Sequence, residues 1–417
     1  MRLLSLACAL ALGLSSIAAP AATPAAASPA TDVPGSEAIV SKTLANGLKI
    51  IVWPDHDIPN ANFYTFYKVG SRNEYPGITG LAHYFEHMMF NGTSRRAPGA
   101  FDREMEAAGG SNNASTSNDL TIYTDWFPSS ALETIFDLEG DRMANLAFDP
   151  KVVESERGVV YSERRSSVDN DNFGTLLEQM QATAFTAHPY QFPTIGWPSD
   201  IEHWKLDDLK KFFKTYYAPN NAVLVIAGDV DAAQVFALAD KYLAPLQKQP
   251  EPTPITTVEP EQLGERRLVV ERSDAQSPIV AYAFHSGMGA GDKRFPTLEL
   301  LTTILSQGQS SRLHQRLVER EQAATQAGAF AEAGFDPGLL WVYAMLPPGG
   351  DMAKVEALLG DELARLARDG VTAAELDKAR NLKASAFWRS MATINGKARA
   401  LGTYEVFNGD HRKLFDA

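Results

Sequence analysis

The chain has 417 residues, 45% hydrophobic and 21% charged, with a formal net charge of −13 and one cysteine. That length allows two or three domains with sizeable cores. The acidic balance disfavours a nucleic-acid partner, since no basic patch is present to collect phosphates, and is compatible with basic peptides.

Residues 1–22 read as a secretory signal peptide, with Arg2 as the positive end, an apolar run from Leu3 to Leu14, and small residues around Ala18 and Ala19. The run is too short to span a membrane, and no later segment is long and apolar enough. The cysteine, Cys8, lies inside this signal with little apolar sequence before it, which argues against a lipid anchor. Export without disulfides points to a bacterial periplasmic protein. Residues 23–35, rich in Ala and Pro, are expected to form a flexible leader.

Residues 38–53 alternate around Asn46 and Gly47, a hairpin signal, and the aromatic stretch 62–69 predicts a third strand. After a loop comes His83-Tyr84-Phe85-Glu86-His87. In a helix the two histidines lie one turn apart, about 40° around the axis, so both imidazoles reach one metal ion. Glu86 stands on the neighbouring edge, where it can hydrogen-bond a metal-bound water without being a ligand. This H-x-x-E-H order inverts the commoner H-E-x-x-H zinc motif. Taken alone it also fits two surface histidines beside a solvated Glu, so a third ligand has to be found.

Residues 98–108 predict a helix ended by Gly109 and Gly110. Residues 111–127 begin small and polar, then alternate as a strand. Beside a metal helix such residues could pair with a peptide by strand addition; without further context an ordinary polar hairpin is the simpler reading. Residues 130–147 form an amphipathic helix, and Asp149-Pro150 starts the next, over 151–168, on which Glu156 and Glu163 share a face. Helices at 175–187, 206–217 and 231–246 and a buried strand at 222–228 follow. Pro250, Pro252, Pro254 and Pro260 mark a linker over 248–263.

The second half repeats the first in outline. Strands are expected over 268–284, helices over 296–318, a strand at 339–348 echoing 120–128, and helices at 352–368 and 373–386 echoing those at 130–147 and 151–165. Residues 306–317 stand in the place of the two-histidine helix and carry only His314, read as structural or exposed. Setting Arg157 against Arg380 puts Ala386 opposite Glu163. The expected fold is α+β, with two related domains, 36–247 and 264–417. Each is an antiparallel sheet packed with helices, and together they enclose a cleft. The second domain lacks the metal motif and is expected to be incomplete at its C-terminal end, short of a final helix and strand.

These residues resemble the pitrilysin/insulinase family of inverted-motif zinc peptidases, which includes the mitochondrial processing peptidase. The resemblance runs from about residue 35 to the C-terminus. In that family the third ligand is a Glu about 75 residues beyond the second His, within Glu-Arg-Gly-Val-x-x-x-Glu. The stretch from Glu156 through Arg157, Gly158 and Val159 to Glu163 fits, and Glu163 lies 76 residues after His87. The resemblance implies one Zn2+ per chain, bound by His83, His87 and Glu163. Two neutral imidazoles and one carboxylate leave the ion positively charged with a fourth position for water. Glu86 would be the general base, and Glu156 would steady the ligand helices. Asn113 and Ala114 would hold the peptide backbone, and Phe90 would line the pocket for the side chain after the scissile bond. The implied activity is endopeptidase hydrolysis of peptides or unfolded segments.

One departure stands out. The family's second domain supplies an Arg and a Tyr that grip the substrate, and the best register here puts Val318 and Thr325 at those places. A homologous partner subunit or a C-terminal half could provide the pair. A non-catalytic peptide-binding module is a further reading, against which the retention of Glu86 argues.

Overall fold

The structure, a computed structural model, describes residues 33–273 and 275–416. The expected signal peptide and most of the expected leader lie outside them. Val33, at the leader's end, is buried against the core.

The predicted hairpin forms at Asn46-Gly47, where Gly47 takes φ 91°. It joins β1 (Val40–Thr43) to β2 (Lys49–Pro54) with Val40 opposite Val52. With β3 (Asn60–Tyr67), β4 (Ser111–Thr116), β5 (Thr121–Pro128) and β6 (Ala222–Gly228) it builds a six-stranded sheet in the order β1-β2-β6-β3-β5-β4. Every pair is antiparallel except β2 with β6. The sheet is therefore mixed, not purely antiparallel as expected, because β6 inserts between β2 and β3.

β6 explains its own composition. Ala222, Leu224 and Ile226 point into one core, and Val223, Val225 and Ala227 into another. A strand covered on both faces reads as a continuous apolar run. The first core is roofed by α1 (Leu81–Met88), α2 (Ala100–Ala107), α3 (Leu132–Asn145) and α4 (Pro150–Arg164). After α5 (Asn172–Ala184), the helices α6 (Pro198–His203), α7 (Leu206–Tyr216) and α8 (Ala232–Tyr242) add Ile201, Leu209, Phe212, Val235 and Leu238 to it.

The second sheet is antiparallel, β7 (Ile279–His285), β8 (Gln326–Ala331) and β9 (Leu339–Met345) in the order β7-β9-β8. It packs with α9 (Phe295–Ser306) and α10 (Met352–Asp369) around Leu305, Leu317, Val342, Val355 and Leu359. Of the strands expected over 268–284, only β7 forms; residues 268–273 carry no strand, and Val269 is 72% exposed. The apolar pattern is present there, but no neighbouring strand pairs with that backbone. By element order α9, not residues 306–317, occupies the place of α1. His314 starts the next helical segment, half-buried and hydrogen-bonded to Glu319 at 3.1 Å.

Past α11 (Ala373–Met391), α12 (Ile394–Asn408) departs from the expected division. It leaves the second sheet and covers the outer face of the first, setting Ile394, Ala398 and Leu401 against Trp53, Tyr64, Phe66 and Val225. Gly402 permits this approach, since a Cβ there would lie 2.0 Å from the Phe66 ring. Gly402→Ala is expected to destabilise the fold by about 1–3 kcal/mol through overpacking. Gly158→Ala, in a helix position with open space around it, should stabilise by about 0.5–1 kcal/mol. Urea unfolding of the two variants measures the contrast.

Besides α12, further contacts tie the halves together. Arg72 donates to Asp119 at 3.0 Å and to Asp336 of the second half at 2.5 Å. A small core unites Phe185 and Tyr190 with Leu339 and Trp341. The proline-rich linker is itself anchored: Glu259 accepts from the backbone N–H groups of Thr186, Ala187 and His188 at 2.8–2.9 Å. Burial alone would raise its pKa, but those donors hold the carboxyl down to about 2. The folded value lies below the ordinary one of about 4.3, so this anchor is at full strength above that pH and weakens as pH falls towards 2. Protection factors for hydrogen exchange at residues 186–188, taken relative to the intrinsic rate at each pH, should fall over that window, and Glu259→Gln should remove the dependence. No described helix is long and apolar enough to cross a membrane.

Candidate metal centre

The site begins with the entry into α1. Gly80, at φ 89°, is the N-cap, and a Cβ there would meet the Ile195 carbonyl oxygen at 2.6 Å, so glycine is required twice over. The buried carboxylate of Glu74 accepts from the N–H groups of Gly80 and Ala82, both at 2.7 Å, which caps the helix. Burial pushes the Glu74 pKa well up, and these two bonds offset only part of that.

Leu81, Ala82, Tyr84, Phe85 and Met88 are buried in the core, while Glu86 and His87 keep partial exposure. The Tyr84 hydroxyl donates to the Val153 carbonyl on α4 at 2.8 Å, and the Tyr123 hydroxyl on β5 donates to the Phe85 carbonyl at 2.8 Å. The helix is thereby clamped between α4 and the sheet. Asp149 caps α4 through the Lys151 N–H at 2.7 Å, and Pro150 opens its first turn. Arg157 ties the other side of α4 to the carbonyls of Ile201 and Trp204.

This clamp brings the two helices' polar residues together. His83 Nε2 lies 3.6 Å from Glu163 Oε1, and His87 Nε2 lies 3.3 Å from Glu163 Oε2. One potential ligand atom from each of the three residues lies within 4.8 Å of the others. Around a tetrahedral zinc, with ligands about 2.0–2.2 Å from the ion, neighbouring ligand atoms sit about 3.3–3.5 Å apart. The three side chains fit that ion. Glu156 Oε1 lies 2.8 Å from His87 Nδ1, which fixes the ring and leaves Nε2 facing Glu163.

Three carboxylates, Glu86, Glu156 and Glu163, converge on two imidazoles, an excess of negative charge that a divalent cation would neutralise. Burial lowers the His87 pKa, but these carboxylates outweigh it and the net shift is upward. Glu163 is held below the ordinary carboxylate range, first by its bond with His83, and Glu156 likewise by its bond with His87. A second group of the right residue types, Glu405, Asp410 and His411, has its charge already matched. There Glu405 is engaged by Lys49 at 2.7 Å and by His411 Nδ1 at 2.9 Å.

Glu86 Oε2 accepts from the Thr116 hydroxyl at 2.6 Å. Asn113 and Ala114 lie on β4, which is an edge strand, and the Asn113 side-chain oxygen accepts from the Ala114 N–H at 2.8 Å. Phe90, just past α1, packs its ring on Phe101 and Tyr123 with centroids 5.7 and 5.9 Å away, and the Arg142 guanidinium lies 5.1 Å from its centre. Sequence reasoning missed Glu74, Thr116 and Arg142. Thr116 had a signal: it lies two residues past Ala114, on the same face of the strand. Glu74 reaches Gly80 and Ala82 across a loop, a contact no helix or strand spacing encodes, and Arg142 acts through packing on Phe90, Phe101 and Tyr123.

Residues 55–196 match the model of the insulinase family, peptidase family M16, and residues 203–383 match that of the peptidase M16 inactive domain. The chain is 33% identical over 375 residues to the zinc protease PqqE of Helicobacter pylori, spanning 88% of this chain and 83% of that protein. A crystal structure of a protease from the same organism superposes with a TM-score of 0.86 at 32% identity, covering 90% of this chain and 92% of that one. The periplasmic protease PqqL of Escherichia coli shares the fold, with a TM-score of 0.72 at 21% identity; the match covers 92% of this chain and 43% of that one. With an M16 peptidase model over its first half, the M16 inactive-domain model over its second, and a zinc protease relative across nearly the whole length, the chain belongs to the insulinase family of peptidases.

Proposed function

We propose that the protein is a zinc-dependent endopeptidase acting on extended peptides or unfolded segments, with one Zn2+ held by His83, His87 and Glu163. The observation that carries this is the pair of 3.3 and 3.6 Å spacings with Glu86 beside them. Zinc, when bound there, lowers the pKa of a water and polarises the scissile carbonyl.

The chain's own residues do the rest. A peptide adds as a strand to the free edge of β4, its carbonyl displacing the Asn113 side chain from the Ala114 N–H. Phe90 lines the pocket for the side chain after the scissile bond. Glu86 takes a proton from the attacking water and passes it to the leaving amine nitrogen as the C–N bond breaks. Glu156 orients His87. Glu156→Ala is expected to weaken zinc binding about 10–100-fold without unfolding the protein, as competition against a chelating dye would measure. A periplasmic location follows if residues 1–22 act as the signal peptide their sequence resembles.

Hydrolysis of a quenched fluorescent peptide library by the purified chain tests this reading. Cleavage is expected with zinc, lost with chelator and restored by added zinc. Cleavage indifferent to chelator, or none at stoichiometric zinc, would contradict an autonomous metallopeptidase. In the second case, cleavage appearing only with a homologous partner would assign the missing Arg and Tyr to that partner.

A further inference from the structure

β4 carries more than the peptide-binding edge. Its alternation places Asn112, Ala114 and Thr116 on the half-buried face and Ser111, Asn113 and Ser115 on the exposed one. Thr116 is the last residue of the strand, and its hydroxyl donates to Glu86 at 2.6 Å.

The end of β4 is held from several sides. Thr116 pairs with Thr121 on β5, whose hydroxyl donates to the Val69 carbonyl at 3.0 Å. The next residue, Ser117, donates its N–H to the Leu120 carbonyl at 2.8 Å and accepts from the Ser71 N–H at 3.2 Å. Gly70 lets that loop close in, since a Cβ there would stand 2.3 Å from the Ser117 carbonyl oxygen. The Thr116 hydroxyl is thus delivered from a fixed backbone. Glu86 needs such a partner, because its flexible side chain has only one productive direction among several rotamers.

We propose that Thr116 is the positioning residue for Glu86: its hydroxyl holds one carboxylate oxygen so that the other faces the reacting water, and it locks the base to the strand that sets the peptide's register. The proposal rests on the peptidase reading above and extends it. A peptide seated on β4 and a base tethered to β4 move as one body, so the scissile bond and the proton acceptor keep their spacing. Glu86 need not be ordered again for each substrate.

Thr116→Val and Thr116→Ser test it. Valine keeps the β-branched shape and the strand while removing the hydroxyl; serine keeps the hydroxyl. Thr116→Val should lower kcat about tenfold or more, with KM within about twofold and bound zinc unchanged, and Thr116→Ser should restore most of kcat. A disturbed peptide edge would instead raise KM in both variants. Crystal structures of the metal-free wild type and both variants give a readout independent of turnover. The Glu86 carboxylate should keep its place in wild type and Thr116→Ser and leave it in Thr116→Val. Unchanged kcat in Thr116→Val, equal damage in both variants, or an unmoved Glu86 carboxylate would overturn the proposal. A wild-type chain with no chelator-sensitive hydrolysis would instead remove the peptidase reading, and the position of Glu86 would then decide Thr116 alone.

Discussion

Glu86→Gln is expected to lower kcat by about 10²–10⁴-fold while one zinc per chain stays bound. The carboxamide has nearly the same volume and can still meet the Thr116 hydroxyl, so the fold has no reason to change. What it cannot do is accept a proton and return it. The proposed ligand atoms come from His83, His87 and Glu163, the group able to hold a metal ion, and Glu86 is not among them, which is why metal content and turnover should separate in this variant. Steady-state kinetics with metal analysis on the same preparation reads both. Loss of zinc together with activity would make Glu86 a ligand, and retained turnover would place the base elsewhere.

The second large effect is on stability. Arg142 is completely buried, 2.6 Å from Glu139 and with its guanidinium 5.1, 4.8 and 4.6 Å from the rings of Phe90, Phe101 and Tyr123. Asp125 is buried beside it, and burial first, then the Glu139 charge, pushes its carboxyl pKa well up. Arg142 is the cation that faces both acidic side chains, Glu139 and Asp125. Arg142→Met strands the Glu139 charge in the core and should cost about 3–5 kcal/mol in denaturant unfolding. Arg142→Met combined with Glu139→Leu removes both charges and should recover most of the loss, since apolar replacement of a whole buried pair is often close to neutral. A single variant as stable as wild type would mean that water reaches the pair. Because Phe90 and Tyr123 stack on this cation, and Tyr123 is bonded to α1, the single variant should also reduce peptide hydrolysis.

Much of this was legible in the residues because the determinants are local. The His83-to-His87 spacing is one helical turn, Glu156 and Glu163 are two turns apart, Asn46-Gly47 is a turn signal, and Asp149-Pro150 is a helix start; each needs only its own neighbours. The failures share the opposite cause. The extended stretch at 268–273 has strand-like residues, but a strand exists only where another backbone accepts its hydrogen bonds, and β7 pairs only with β9 among the described residues. Residues 394–408 fall in the expected second domain with no helix assigned to them, whereas as α12 their small residues Ala398 and Gly402 fit them to Phe66 across the chain. The parallel pairing of β2 with β6 likewise joins segments far apart in sequence, and its trace in the sequence is the two-sided apolar character of β6. Arg142 belongs to the same class, its ring partners Phe90, Phe101 and Tyr123 being set by tertiary packing; so does the Thr116–Glu86 bond, although the face of Thr116 was legible from its strand.

The proposed metal centre is tested by metal content after dialysis against stoichiometric zinc, for wild type, His83→Ala and Glu163→Ala. One zinc per chain is expected in the wild type and almost none in either variant, with the folded state intact by circular dichroism. Zinc absent from the folded wild type, or retained in both variants, would contradict a metal centre built from His83, His87 and Glu163.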